Sequence, residues 1–252
     1  SITSVVIHEK TELILKYYNV SELRALVNHI DFIGFRSVSL LNSFEKEYFK
    51  LKNSFINYSG IPNYFLINPP KRDFNKKLIN VIFVGQFVKR KYPSKILESI
   101  TAISKNINKI TFIGSGSEEK QIKNVAINLG LKEKIVILNN VPRKSIVDYY
   151  DDADLFIMIS KDEAYGLVYL EAMSRGCLTI GSIGEGIDGV IKDGFNGFLS
   201  EAGDSESLSN KIDEISRMSY SKIKNIQKNA MDTSIKFTDE IKSLEYLNLF
   251  IN

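Results

Sequence analysis

Cysteine, tryptophan, long apolar runs and net charge are all scarce in this chain. Its 252 residues include one Cys and no Trp, and a single thiol excludes a disulfide-stapled scaffold. Cys177 lies in the apolar run Cys177–Ile180, which is typical of a small buried hydrophobe rather than a nucleophile or metal ligand. No segment approaches the roughly 18 apolar residues of a membrane span, and the beginning lacks a signal-peptide pattern. We therefore expect a cytoplasmic protein.

The charge balance excludes nucleic acid as the main partner. The 33 Lys and Arg residues nearly cancel the 30 Asp and Glu residues, and the formal net charge of +3 is spread along the chain. With 44% hydrophobic and 25% charged residues, the composition excludes a disordered or collagen-like chain. A chain of this length can form one large core or two smaller ones, so we expect one or two domains.

Residues 73–236 predict a doubly wound α/β domain. From Asn80 onward, short β-branched runs alternate with longer helical patterns, and near-continuous apolar strands of this kind are buried on both faces of a parallel sheet. The predicted strands are Val81–Val84, Ile110–Ile113, Ile135–Leu138, Leu155–Ile159 and Cys177–Ile180. The predicted helices are Ser94–Ser104, Glu118–Leu129, Lys144–Tyr150, Gly166–Ser174 and a shorter segment at Ile187–Ile191.

Residues 1–72 predict a second, partial α/β domain. The segment Pro69–Asp73 is polar and stiffened by two prolines, which suits an interdomain linker. Residues 237–252 predict a final helix, Ile241–Phe250, with a capping signal at Phe237–Glu240. The strands expected before the linker are Val5–Ile7, Phe32–Phe35 and Tyr64–Ile67, and the helices are Thr11–Tyr17, Ser21–Asn28 and Leu40–Lys52.

The residues that follow the predicted strands are rich in glycine. Gly85, Gly114 and Gly181 each follow a strand, and ligands of open parallel sheets bind at the carboxyl ends of the strands. One glycine alone indicates only a tight turn, whereas several along one edge indicate a shared cleft. Gly114-Ser115-Gly116 lacks the third glycine of a dinucleotide fingerprint, and the chain has no Walker A motif. The basic run Lys89–Lys91 can neutralise a diphosphate or form an ordinary solvated loop.

Glu163 and Glu171 are the leading candidates for ligand contacts. Both lie in the sequence EAYGLVYLEAMSRG, whose apolar residues predict a buried helix over Gly166–Ser174. A buried carboxylate requires hydrogen-bond donors, which for Glu171 could be ribose hydroxyls, a core arginine or backbone amides. Glu163 precedes the helix, either as a plain cap or beside N–H groups at the positive end of the helix dipole, where phosphate binds.

Four sequence elements together resemble the retaining glycosyltransferases of family 4, which have the GT-B fold. They are VGQFVKRK, the Glu-x7-Glu spacing of Glu163 and Glu171, the surrounding EAYGLVYLEAMSRG, and the later GEGIDGVIKDGFNGFL. The resemblance implies one complete Rossmann-like parallel-sheet domain plus a partial N-terminal α/β domain that lacks about 90 to 100 residues at its beginning. It also implies an activity without metal or cofactor, in which a UDP- or GDP-linked sugar is the donor substrate.

The resemblance assigns a role to each candidate residue. Glu163, His8 and Lys91 are the implied catalytic residues: Glu163 contacts the donor sugar, His8 faces that sugar across the cleft, and Lys91 binds phosphate. Glu171 holds the ribose hydroxyls. The other implied contacts with the nucleotide-sugar are Gly85, Gln86, Gly114, Asn140, Val141, Ile146, Tyr165, Gly166 and Leu167.

Two positions qualify this assignment. Gln86 stands where the family usually has Arg, and because a neutral amide contributes no full charge, we expect weaker donor binding or turnover. His8 follows the first predicted strand, where a lone histidine is more typical of a surface or structural residue. Ser39 is expected to cap the helix that follows the last strand of the family's first domain.

The resemblance implies a retaining hexosyltransferase, and we expect it to build bacterial surface polysaccharide or glycoconjugate on a glycan, lipid-linked or protein acceptor. Two alternatives stay open: a sugar-nucleotide epimerase of the same fold, and a non-catalytic accessory subunit that binds nucleotide-sugar. Lys46, Lys50 and Lys52 could contact the inner face of a membrane. Glu45 and Glu47 offset that charge and favour a mixed, solvated face.

Overall fold

The computed structural model describes residues 3–8, 19–70 and 79–251, and these form two parallel β-sheets with flanking helices. The predicted helix at Thr11–Tyr17 lies outside the described residues. The first sheet contains β1 (Ser4–Ile7), β2 (Phe32–Phe35) and β3 (Ser54–Ile56), in that spatial order. Helix α1 (Val20–Val27) precedes β2, and α2 (Val38–Glu47) follows it.

The second sheet has the strand order of a Rossmann-type domain. Its six strands are β4 (Ile79–Val84), β5 (Ile107–Ile113), β6 (Ile135–Leu138), β7 (Leu155–Ile157), β8 (Leu178–Ser182) and β9 (Phe198–Ser200). They lie in the order β6-β5-β4-β7-β8-β9, and every neighbouring pair is parallel. The order reverses between β4 and β7, so the loops after these two strands diverge and leave a crevice at the carboxyl edge. The predicted α/β fold class is confirmed.

Seven further helices accompany the second sheet within the described residues. Those that cover it bury an apolar core against fully buried strand residues such as Phe83, Phe112 and Phe156. The helices are α3 (Pro93–Ser99), α4 (Glu119–Asn128), α5 (Ile146–Asp152), α6 (Leu167–Ser174), α7 (Ser205–Ser216), α8 (Tyr220–Ser234) and α9 (Asp239–Ile251).

Three local predictions are wrong. Residues 187–191 form turns rather than a helix, because the glycines around them take left-handed conformations, with φ of +71° at Gly184 and +99° at Gly189. Helix α2 is capped by Ser37, whose Oγ accepts from the N–H of Leu40 at 3.2 Å. Ser39 lies inside the helix instead, and its hydroxyl donates to the carbonyl of Gly184.

The third wrong prediction is the strand at Tyr64–Ile67. Residues Asn63–Leu66 form a 3₁₀ turn, and a buried arginine holds backbone carbonyl groups within it and just after it. Arg175 donates to the carbonyl oxygens of Phe65 at 3.0 Å, Ile67 at 2.7 Å and Asn68 at 3.1 Å. Its other N–H groups bind the Asp151 carboxylate at 2.6 and 2.7 Å. This side chain therefore ties the segment before residue 71 to α5 and α6.

Helix α9 packs against the first sheet. Phe250 contacts the ring of Phe32 at 5.6 Å between centroids, and Tyr246 contacts Phe55 at 6.1 Å. The helix begins after Thr238, whose Oγ1 accepts from the N–H of Ile241 at 3.2 Å. The last helix of the chain thus connects the second sheet to the first.

Candidate active site

Lys91 and Glu163 meet at the point where the strand order reverses. Lys91 lies in the loop after β4 and Glu163 in the loop after β7, and Lys91 Nζ is 3.2 Å from Glu163 Oε2. Both side chains are largely buried, at 12% and 13% exposed. A Cβ at Gly85 would lie 3.2 Å from Lys91 Nζ, so the glycine leaves the space that the ammonium group occupies. Three residues predicted from sequence are therefore brought together.

A second cation lies beside the Lys91–Glu163 pair. Arg90 is 44% exposed, and its Nη1 lies 3.5 Å from Glu163 Oε2 and donates to the carbonyl of Asp162 at 3.2 Å. Gln86 is exposed in the same loop. Arg90 and Lys91 thus both lie beside the Glu163 carboxylate, with Gln86 as an exposed neutral neighbour.

The loops after β4 and β5 are packed too closely for side chains. A Cβ at Gly114 would lie only 1.9 Å from the carbonyl oxygen of Gly85, and Phe87 donates its N–H to Ser115 at 2.8 Å. Gly114 takes a φ of +144°, which an L side chain rarely adopts. Glycine here brings the two loops together and leaves their backbone accessible beside Lys91.

The Glu163 backbone is held by the loop after β8. Its N–H donates to Glu185 Oε2 at 2.9 Å, and its carbonyl accepts from the N–H of Gly186 at 2.8 Å. A Cβ at Gly186 would lie 2.2 Å from the carbonyl carbon of Ala164. Glu185 was not predicted from the sequence, although the glycines that flank this carboxylate in GEGIDG could have indicated it.

Helix α6 begins directly behind Glu163. Gly166 is its N-cap with a φ of +81°, a left-handed conformation that glycine adopts without strain. The first N–H groups of a helix have no intrahelical acceptor, and the helix dipole makes this end positive. The Tyr165 ring is buried against Tyr58, 5.3 Å away between centroids. Residues 165–167 thus offer backbone N–H groups rather than polar side chains beside the Lys91–Glu163 pair.

Glu171 is a buried carboxylate that an arginine already contacts. Its side chain is 3% exposed, and Oε1 accepts from Arg143 Nε at 3.0 Å and Nη2 at 2.6 Å. Oε2 accepts from the Tyr150 hydroxyl at 3.3 Å. Burial raises the pKa of Glu171, and the hydrogen bonds from Arg143 and Tyr150 offset part of that rise. Arg143 is 48% exposed and escaped the sequence interpretation, because its partner lies 28 residues away.

The predicted base contacts differ in what they can offer. Asn140 is exposed with a φ of +58°, and Val141 is half-buried against the core. Ile146 is buried, and its N–H already donates to the carbonyl of Arg143. A base at this edge would therefore meet the exposed segment around Asn140 more readily than Ile146.

His8 lies in the first sheet, at the end of β1. It is exposed, and its Nδ1 accepts from Arg36 Nε at 3.0 Å. Arg36 also donates to the Ser59 hydroxyl at 2.8 Å, and burial lowers the pKa of its guanidinium group. Arg36 escaped the sequence interpretation, since nothing in the local pattern pairs it with His8.

The aspartates near residue 152 hold the fold together. Asp151 binds Arg175, and Asp152 binds Lys109. Asp154 accepts from the N–H of Asn80 at 2.7 Å. Within residues 3–8, 19–70 and 79–251, no three His, Cys, Asp or Glu side chains gather as a metal site would require. Over the same ranges, no helix is both long and apolar enough to cross a bilayer.

Comparisons with known proteins place this geometry in a family. The family model described as glycosyl transferases group 1 matches residues 66–233. N-acetyl-alpha-D-glucosaminyl L-malate synthase of Bacillus anthracis is 28% identical over 132 residues, which are 52% of this chain and 34% of that protein. The lipopolysaccharide core biosynthesis glycosyltransferase LpsE of Rhizobium meliloti is 24% identical over 166 residues, which are 63% of this chain and 46% of that protein.

A solved structure shares the fold over nearly the whole chain. HepE of Anabaena, solved in complex with UDP, superposes with a TM-score of 0.80 at 18% identity, covering 98% of this chain and 71% of that one. This likeness confirms the GT-B-type arrangement of the two parallel sheets. The chain spans less than half the length of the two curated relatives named above. The family match covers more than half of the chain, and the chain belongs to the glycosyl transferases group 1 family.

Proposed function

We propose that the protein is a retaining, metal-independent glycosyltransferase of family 4 that moves a hexose from a UDP- or GDP-sugar to an acceptor hydroxyl. The observation that carries this proposal is the meeting of Lys91 and Glu163 at the reversal of strand order, directly before the N-terminus of α6. Cations and helix N–H groups at such a crevice suit a diphosphate. The Glu-x7-Glu spacing, with its second carboxylate buried in α6, further supports the assignment.

Each residue of the crevice then has a role. Lys91 and the N–H groups of residues 165–167 stabilise the negative charge that develops on the departing diphosphate, which is the main catalytic contribution in this scheme. Glu163 contacts the donor sugar beside the reacting carbon. Glu171 binds the ribose hydroxyls, and His8 approaches the sugar from the first sheet. The acceptor hydroxyl attacks from the face that the diphosphate leaves.

The named relatives support the substrate class. LpsE is described as a lipopolysaccharide core biosynthesis enzyme, and HepE was solved with UDP. We propose by this similarity that the protein contributes to bacterial surface polysaccharide or glycoconjugate, with a glycan, lipid-linked or protein acceptor. A cytoplasmic location fits the use of nucleotide-sugars.

A basic groove supports peripheral contact with the inner face of the membrane. Arg24, Lys50 and Lys52 line a groove of about 490 Å³ together with Phe49 and Leu51. Cations beside apolar side chains suit an anionic lipid surface. We expect salt-sensitive co-sedimentation with anionic vesicles that is reduced in the double variant Lys50→Glu/Lys52→Glu. Equal co-sedimentation of the two proteins would remove membrane contact from the proposal.

Calorimetric titration with UDP, GDP and ADP tests the function. The proposal predicts selective binding of one nucleotide, abolished in Glu171→Ala and kept in Glu214→Ala, whose side chain is 49% exposed on α7. It also predicts sugar transfer from the matching donor in the presence of a chelator. Binding without turnover of any donor would favour the accessory subunit, and release of an altered sugar-nucleotide would favour the epimerase. No binding of any nucleotide would overturn the proposal.

A further inference from the structure

Arg143 occupies the side of Glu171 that a ligand would need. Its Nε and Nη2 both donate to Oε1, at 3.0 and 2.6 Å, so the two lone pairs of that oxygen are taken. The Tyr150 hydroxyl takes one position on Oε2, at 3.3 Å. A ribose diol that donates one hydroxyl to each carboxylate oxygen therefore requires Oε1 to be released.

The exposure of the pair shows which partner can leave. Glu171 is 3% exposed and fixed within α6, whereas Arg143 is 48% exposed on the loop after β6. Besides Glu171, the guanidinium group lies 5.9 Å from the centre of the Phe65 ring, a weak contact at a half-exposed site. Arg143 can rotate into solvent without breaking the core, while Glu171 cannot.

The titratable groups around the pair explain why the carboxylate needs a partner. Glu171 faces Arg143 and Tyr150, with Cys177 beside Tyr150, and Arg143 also faces Tyr64 and Asp239. Desolvation dominates at Glu171 and raises its pKa, because the carboxylate is deep. Desolvation lowers the pKa of Arg143, but the hydrogen bonds and charge of Glu171 outweigh it and raise that pKa. Without Arg143, an empty site would hold a buried carboxylate with Tyr150 as its donor.

We propose that Arg143 is a displaceable counter-ion of Glu171, which keeps the carboxylate ionised in the empty site and is exchanged for the ribose hydroxyls of the donor. Arg143 is thus a positioning residue, and the inference rests on the proposed function. The exchange costs part of the binding energy of the diol, because two charge-assisted hydrogen bonds are given up when the two new ones form. The native protein then discriminates a ribose from a deoxyribose less strongly than the carboxylate alone would.

The variant Arg143→Met tests the exchange by titration with UDP and 2′-deoxy-UDP. Met keeps the stem volume and removes the competing cation, so we expect the affinity ratio of UDP to 2′-deoxy-UDP at pH 8.5 to rise several-fold. Because burial raises the pKa of the Glu171 carboxyl, the rise should diminish as the pH is lowered and the carboxyl becomes protonated before binding. As the pH falls toward the raised pKa of that carboxyl, UDP binding to this variant should release a proton, seen as a dependence of the binding enthalpy on the buffer. Native protein should show little buffer dependence.

Three comparisons separate the outcomes. Arg217→Met, at a side chain 78% exposed just after the end of α7, should behave as native. Arg143→Lys keeps a positive charge but loses the paired N–H donors of the guanidinium group. Its affinity ratio of UDP to 2′-deoxy-UDP should therefore lie between those of the native protein and Arg143→Met. A ratio that stays native-like at every pH in Arg143→Met, or weaker UDP binding at every pH, would overturn the exchange. Failure of the native protein to bind any nucleotide would instead overturn the proposed function, whatever the variants do.

Discussion

Two arginine–carboxylate pairs join the α5 and α6 segments, one at each end of α5, and their burial is reversed. In the Arg175–Asp151 pair the cation is 2% exposed and the carboxylate 30%. In the Arg143–Glu171 pair the cation is 48% exposed and the carboxylate 3%. Arg175 is also held by three carbonyl oxygens of residues 65–68. Arg143 Nε and Nη2 both bind one carboxylate oxygen, and within residues 3–8, 19–70 and 79–251 no backbone carbonyl holds this group.

The reversed burial of cation and carboxylate distinguishes a structural ion pair from a proposed binding pair. A buried guanidinium surrounded by backbone carbonyls can be satisfied only by this chain, so the first pair fixes the position of residues 65–68. A buried carboxylate whose partner reaches solvent can be satisfied by any donor of the right geometry, and a ligand hydroxyl is such a donor. We therefore expect the pair at one end of α5 to serve stability, and propose that the pair at the other end serves binding.

The largest expected effect is the loss of stability in Arg175→Met. It leaves Asp151 and the carbonyl groups of Phe65, Ile67 and Asn68, of which the first is buried, without their donor, so the free energy of unfolding should fall by about 3–5 kcal/mol. Arg143→Met should lower it by less, because only two hydrogen bonds to one carboxylate oxygen are lost and the carboxyl left behind can take up a proton. Urea unfolding of both variants measures the difference. Equal losses of unfolding free energy in the two variants would contradict the distinction between the two pairs.

The next largest effect distinguishes the roles of the two carboxylates, Glu171 and Asp151. Glu171→Gln should weaken UDP binding by about 10- to 100-fold, since hydrogen bonds to a charged acceptor contribute about 1.5–3 kcal/mol. Asp151→Asn should leave UDP affinity unchanged and lower stability instead. Titration and unfolding of both variants provide the check, and a loss of affinity in Asp151→Asn equal to that in Glu171→Gln would contradict the assignment.

A smaller effect concerns the diphosphate end of the crevice. Lys91→Met should weaken UDP binding by about 10-fold, the value of one charge-assisted contact, and leave uridine binding unchanged. Lys95→Met is the matched control, because Lys95 pairs with Glu98 on α3 and is 39% exposed. If Lys91→Met weakened uridine and UDP equally, Lys91 would have no specific role at the phosphates.

The smallest effect is a pH dependence of stability. Because the pKa of Glu171 is raised in the folded protein, chiefly by burial, ionisation costs more in the folded than in the unfolded chain. Native protein should therefore lose stability relative to Glu171→Gln as the pH rises from the ordinary carboxyl value of 4.5 through the raised one. Unfolding curves between pH 4 and pH 7 measure this trend, and the opposite slope would contradict the burial argument.

The elements that local residue patterns mark on their own were predicted best. Five strands of the second sheet were foreseen because their residues are apolar on both faces. Glu163 lies before α6 and Glu171 is buried within it, as their spacing predicted, and their ligand contacts stay a prediction. Strands β3 and β9 have three residues each. The equally short β7 was foreseen because it lies in the longer apolar run Leu155–Ile159, which β3 and β9 lack. The aromatic run Tyr64–Ile67 resembled a strand, but Arg175, more than 100 residues away, holds it as a turn. The sequence did not predict Arg143, Arg36 and Glu185, because their partners are distant along the chain and only the fold brings them near.

The most direct test of the exchange at Glu171 is a crystal structure of the protein with bound UDP. The account predicts both Glu171 carboxylate oxygens within hydrogen-bond distance of the ribose O2′ and O3′, and Arg143 moved away from Oε1. A structure in which Arg143 keeps both bonds to Oε1 while the ribose binds elsewhere would contradict it.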